Sequence, residues 1–131
     1  MPIHDYYMLQ FAILLTFKHF ICDFVLQNSD MALSKAIYGS RGSLRHSMHH
    51  GMGTFIVCVL FLSPGLSIGL ALLDFLIHYH IDWIKMKFGP RSYKDKHYWV
   101  WFGADQFLHQ LTYILLLILV IVSGQTVDFK L

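Results

Sequence analysis

Four stretches of the chain are almost free of charge: about Tyr7 to Gln27, His46 to Leu62, Ser67 to Met86, and Trp99 to Val122. Crossing a bilayer as a helix takes roughly 17–25 mostly apolar residues, and these runs approach or reach that length. Breaks fall between them. "SPGLS" predicts a tight turn at Pro64 and Gly65, Gly89-Pro90 stops the third span, and Ser123 and Gly124 close the fourth. Between the first two spans lies "NSDMALSKAIYGSRGSLR". Ser29 or Asp30 could cap a short helix through Ile37, ended by Gly39, whose Met31, Leu33, Ala36 and Ile37 would lie in the membrane interface; a plain loop is the alternative. Tyr6, Tyr7, Trp83, Tyr98, Trp99 and Trp101 gather near span ends, as interfacial aromatic belts do.

Composition agrees with this pattern. The chain has 131 residues, enough for one domain; it is 56% hydrophobic and 14% charged. Soluble domains carry about 25% charged residues. The mean hydropathy is +0.51. The N-terminal "MPIHDYYMLQ" lacks a basic region and a small-x-small cleavage site, so the first span is expected to stay in the mature protein. Cys22 and Cys58 lie in apolar runs without disulfide or zinc-finger spacing, and are expected to be small buried hydrophobes.

Charge then orients the spans. Lys35, Arg41, Arg45, Lys85, Lys87, Arg91, Lys94 and Lys96 all fall in or beside the first and third connections. The positive-inside rule places both connections in the cytoplasm and both termini outside. The expected fold is all-α: a single transmembrane domain over residues 1–131, built as a four-helix bundle. The expected location is the inner membrane, in a bacterial or phage-encoded protein. Its expected partners are membrane lipids and an amphipathic or lipid-linked substrate, with no nucleic acid; a homo-oligomer is possible.

Ionisable residues inside spans are costly and mark functional candidates. Each span carries one pair spaced i, i+4: His19 and Asp23, His46 and His50, His78 and Asp82, Asp105 and His109. Residues four apart share a helix face, one turn apart. In antiparallel spans all four pairs fall in one layer near the cytoplasmic surface. Carboxylates clustered without a cation would repel one another. Nitrogen and oxygen ligands without thiolates suit zinc, iron or manganese, and eight exceed what one tetrahedral ion uses. Two divalent ions, or one ion with carboxylates orienting its histidines, would absorb them. A metal-free polar network and a proton relay are the alternatives.

The succession "HFICDFVLQ", "HSMHH", "HYHIDWIK", "DQFLH" resembles the domain-of-unknown-function 3307 family of small prokaryotic membrane proteins. The pattern is carried by His19, Asp23, Leu26, Gln27, His46, His50, His78, Asp82, Lys85, Asp105, Gln106 and His109. His49 and His80 lie outside it. By a looser analogy, the chain looks like membrane-bound metal-dependent hydrolases of bacterial inner membranes.

Other residues read individually. His80 lies about 200° from His78 and Asp82 on a helix, on the opposite face. "HSMHH" also matches a box of membrane di-iron oxygenases, which would enlist His49. Asp74 extends the His78–Asp82 stripe towards mid-membrane, and Lys18 lies at similar depth, so the two could pair. Lys85 could hold a phosphate beside the metals or merely anchor its helix. Gln106 could orient a ligand or join helices. The expected chemistry is metal-assisted hydrolysis, with Asp23 or Asp105 as general base and Lys85 beside the substrate. A metal-handling transporter, a small structural or regulatory membrane protein, and a di-iron oxygenase are the rival readings.

Overall fold

A computed structural model of the chain describes residues 3–130, with side chains from Asp5 onward. Helix α1 (Ile3–Phe20) runs into a π-helical turn at Ile21–Val25; α2 (Ser29–Ser34), α3 (Arg41–Val59), α4 (Pro64–Phe88) and α5 (Lys96–Val122) follow. The fold is all-α, with no strand among the described residues. Three helical segments are long and apolar enough to cross a membrane: Asp5–Val25, α4 and α5. Helix α3 does not meet that measure, because its inner stripe of His46, Ser47, His50 and Thr54 lowers its apolar content.

The helix ends follow capping chemistry. Asn28, rather than Ser29 or Asp30, caps α2: its side chain accepts the Met31 N–H at 2.9 Å. That helix stops at Ser34, short of Ile37, and the chain then turns through Gly39, whose φ of 76° favours glycine. Ser40 caps α3 by accepting from the Ser43 N–H. Pro64 does not delay α4 as a breaker would. It occupies the first turn, where a missing N–H costs nothing, so α4 begins three residues before the expected Ser67. Helix α5 ends at Val122, and Gly124 follows with a φ of 69°.

Helices α1, α3, α4 and α5 pack in a ring: α1 on α3, α3 on α4, α4 on α5, and α5 on α1. Along its length the ring divides in two. One half is an apolar core of Phe11, Leu15, Val57, Phe61, Leu70, Leu116 and Val120. The residues after α5 close this end: Lys130 N–H donates to the Leu60 carbonyl, and Val127 is buried. The other half is polar inside, with His19, Asp23, His46, His50, His78, Asp82, Asp105 and His109 all buried.

The outer surface reverses the pattern of a water-soluble protein. On α3 the exposed stripe is Leu44, Met48, Met52 and Ile56, while the buried stripe is Ser43, His46, Ser47, His50 and Thr54. Exposed Ile13, Phe17, Phe20 and Phe24 continue the apolar outer surface on α1 and its π turn. Cys22 and Cys58 are buried and unpaired, as their apolar settings suggest.

Candidate metal centre

All four i, i+4 pairs point into the polar half of the ring. Three overlapping groups have ligand atoms within 4.8 Å of one another: Asp23 with His46, His50 and His78; His19 with His78 and His109; and Asp82 with Asp105 and His109. Together the groups contain every residue of the four pairs, and His78 and His109 each belong to two groups.

Asp23 reaches the first group from the π turn. A π turn adds a residue to the hydrogen-bonded ring and rotates the side chains that follow, and such turns frequently occur at functional sites. Asp23 Oδ1 lies 3.0 Å from His50 Nε2, 3.1 Å from His46 Nε2 and 3.8 Å from His78 Nε2. His46 Nε2 also lies 3.1 Å from His78 Nε2 and 3.3 Å from Asp82 Oδ2. A ring nitrogen carries at most one proton, so a single N–H cannot satisfy these contacts together. A cation among Asp23, His46, His78 and Asp82 would satisfy their contacts at once: bonds of about 2.1 Å place tetrahedral ligand atoms about 3.4 Å apart.

At the third group, the imidazole does not hydrogen-bond the two carboxylates beside it. His109 Nε2 lies 3.6 Å from Asp105 Oδ1 and 3.7 Å from Asp82 Oδ1, beyond ordinary hydrogen-bond reach. His109 Nε2 and Asp105 Oδ1 are buried without a hydrogen-bond partner. Three acceptor-rich groups facing one another across a gap suit a divalent ion, so the donor set and its spacing fit a metal. The rings of His50, His78 and His109 stack in succession, with centroids 3.4 and 4.1 Å apart.

The surrounding shell is uneven. His19 is engaged at both nitrogens: Nδ1 meets Tyr113 Oη at 2.9 Å, and Nε2 meets Gln106 Oε1 at 3.1 Å and Asp23 Oδ2 at 3.2 Å. Gln106 also donates its amide to Asp105 Oδ2 at 3.1 Å and to Asp23 Oδ2 at 3.4 Å, so it both orients carboxylates and joins helices. His50 Nδ1 faces the Lys18 ammonium at 3.3 Å. Nδ1 is then the acceptor and Nε2 carries the proton donated to Asp23. By contrast, His46 Nδ1 and His78 Nδ1 are buried without partners.

Lys18 and Asp74 do pair, at 2.6 Å, with side chains only 8% and 1% exposed. Thr54 donates to the same Asp74 oxygen at 2.6 Å. This buried pair lies where the polar half meets the apolar half. Lys85 reaches Asp105 Oδ2 at 3.3 Å, and Lys35 reaches Asp82 Oδ2 at 2.8 Å.

Several of these partners escaped the sequence reading. In the charge pattern Lys35 reads only as a topology signal. Tyr113 and Thr54 each lie four residues beyond a cluster histidine, at His109 and His50, so extending the same stripes by one turn would have found them. His80 stays outside, as its helix angle implies: Nδ1 donates to the Leu76 carbonyl and Nε2 meets Tyr38 Oη. His49 belongs to none of the three groups.

The model of one protein family, described as "Protein of unknown function (DUF3307)", matches residues 11–130. No curated protein and no solved structure matches the chain.

Proposed function

The chain belongs to the DUF3307 family, and from that premise we propose that it is an integral membrane metalloprotein that hydrolyses a lipid, a lipid-linked phosphate or another membrane-associated substrate. The observation that carries this reading is the convergence of four helix-borne pairs into three overlapping ligand groups. Unrelated intramembrane polar residues have no reason to share one layer across antiparallel helices. Two divalent ions, zinc or else iron or manganese, account for the number of donors.

Within this reading the residues divide their work. Asp23, His46, His78, Asp82, Asp105 and His109 hold the ions. His19 and His50, already engaged at both ring nitrogens, hold Asp23. Bound ions would supply Lewis acidity and an acidified water. Of the two carboxylates that could serve as general base, Asp105 or Asp23, the one that does so would be left off the ions, its place among the ligands taken by water.

The setting we propose is a four-helix transmembrane bundle in the inner membrane of a bacterium, with the cluster near the cytoplasmic leaflet and both termini on the other side. Helix α3 is the fourth span in this reading, supported by its exposed Leu44, Met48, Met52 and Ile56. The apolar core beyond Lys18 and Asp74 offers no polar path across, which disfavours transport.

Elemental analysis of the purified protein tests the claim, repeated on His78→Ala. The expected result is tightly bound transition metal in the wild type and its loss in a variant that still folds. A wild type without such metal overturns the reading. A second reading, in which the cluster only locks the bundle, draws on the hydrogen bonds of Gln106, His19 and Tyr113. It predicts that His78→Ala unfolds the protein.

A further inference from the structure

Beside the cluster, α2, the end of α4 and the start of α5 enclose a cavity of about 340 Å³, within the size range of small-molecule sites. Lys35, Lys85 and Arg91 line it, and no acidic residue does. Leu33, Met86 and Trp101 form part of its apolar wall. Lys35 is buried, and its ammonium reaches through to Asp82 at 2.8 Å; Lys85 reaches Asp105 at 3.3 Å. Arg91 has no ion-pair or hydrogen-bond partner among the described residues.

The wall and the cluster therefore share two ion pairs. Without a metal, Lys35 and Lys85 are the counterions of Asp82 and Asp105. A divalent ion on the same carboxylates would take over that role, leaving two ammonium groups and one guanidinium facing the cavity. A single carboxylate would not balance three cations. A phosphomonoester carries about −1.5 to −2 charges and three acceptor oxygens, which match them.

We propose that this cavity binds a phosphoryl group, held by Lys35, Lys85 and Arg91, with the apolar portion of a lipid that carries it against Leu33, Met86 and Trp101. The inference rests on the metal reading in one respect, the release of the two lysines. The phosphate could come from a lipid headgroup or from a free phosphate compound.

Tryptophan fluorescence tests it on the full chain in neutral detergent micelles, with Trp83→Phe and Trp99→Phe leaving Trp101 as reporter. The titrants are dihexanoyl phosphatidic acid and inorganic phosphate, with dihexanoyl phosphatidylcholine as the zwitterionic control. Saturable binding of a phosphomonoester, weakened about tenfold or more by Arg91→Gln or Lys85→Gln, supports the proposal. Arg91 is exposed, so its variant is expected to fold. Tighter binding of phosphatidic acid than of phosphate assigns the site to a lipid; equal binding assigns it to a free phosphate. No saturable response to either, or binding indifferent to both substitutions, overturns it. Metal content measured on the same samples separates the two claims. Metal without phosphate binding sinks the cavity alone, and phosphate binding without metal keeps the cavity but sinks the metal reading and the release of the lysines with it.

Discussion

One oxygen of Asp23 faces three imidazole nitrogens, and asparagine is the uncharged isostere of this side chain. Asp23→Asn preserves shape and removes the charge that draws these rings together. The expected outcome is a folded protein whose affinity for metal falls by at least about tenfold, read by competition with a chelator. Unchanged affinity would remove Asp23 from the site. The Lys18–Asp74 pair makes a separate energetic prediction. Removing one partner of a buried pair strands the other charge and costs about 3–5 kcal/mol. Lys18→Met and Asp74→Leu should each destabilise the protein by about that much, and the double variant by clearly less than their sum, measured by reversible denaturation in micelles. Strict additivity would mean that the 2.6 Å contact carries no coupling.

At the scale of the helices, the i, i+4 pairs were legible because α-helical spacing alone puts such residues on one face. The layer was legible because a bundle of alternating helices brings the end of one beside the start of the next. What was not legible came from backbone detail and long-range packing. No residue in "HFICD" announces the π turn that re-aims Asp23, since such turns depend on the neighbours into which the helix is packed. Pro64 read as a breaker, though proline suits a helix start equally well. Lys35 could be matched to Asp82 only once α2 lay against the bundle. Another such detail is the close approach of α3 and α4 at Gly51. A Cβ there would meet Phe75 Cβ at 3.1 Å and the Ala71 carbonyl oxygen at 3.2 Å. Gly51→Val should therefore cost about 1–3 kcal/mol by overpacking and shift His50 away from His78. Gly69→Val is the control, because a Cβ at Gly69 meets nothing within 4 Å. The expected outcome is loss of metal in the Gly51 variant and retention in the Gly69 variant. Equal retention would show that the cluster tolerates displacement of α3.

For the whole molecule, the decisive question is whether α3 crosses the membrane. Composition favours three crossings, since among the described residues only Asp5–Val25, α4 and α5 are apolar enough on their own. Geometry favours four, since α3 completes the ring and turns its polar stripe inward. A buried polar stripe removes α3's least lipid-compatible groups from contact with the bilayer, so mean composition understates its fitness as a span. The two possibilities place the α3–α4 turn on opposite sides of the membrane. Single cysteines at Ser29, Gly65 and Ser92, in a background lacking Cys22 and Cys58, distinguish them. All three sites are exposed, and a Cβ at Gly65 meets nothing within 4 Å. With four crossings, a membrane-impermeant maleimide should label Ser29→Cys and Ser92→Cys from one face, the cytoplasmic one, and Gly65→Cys only from the opposite face. Labelling of Gly65→Cys from the same face as Ser29→Cys would make α3 a helix that does not cross. Its histidines would then have to reach the cluster from the membrane surface, a course at odds with its packing along α4.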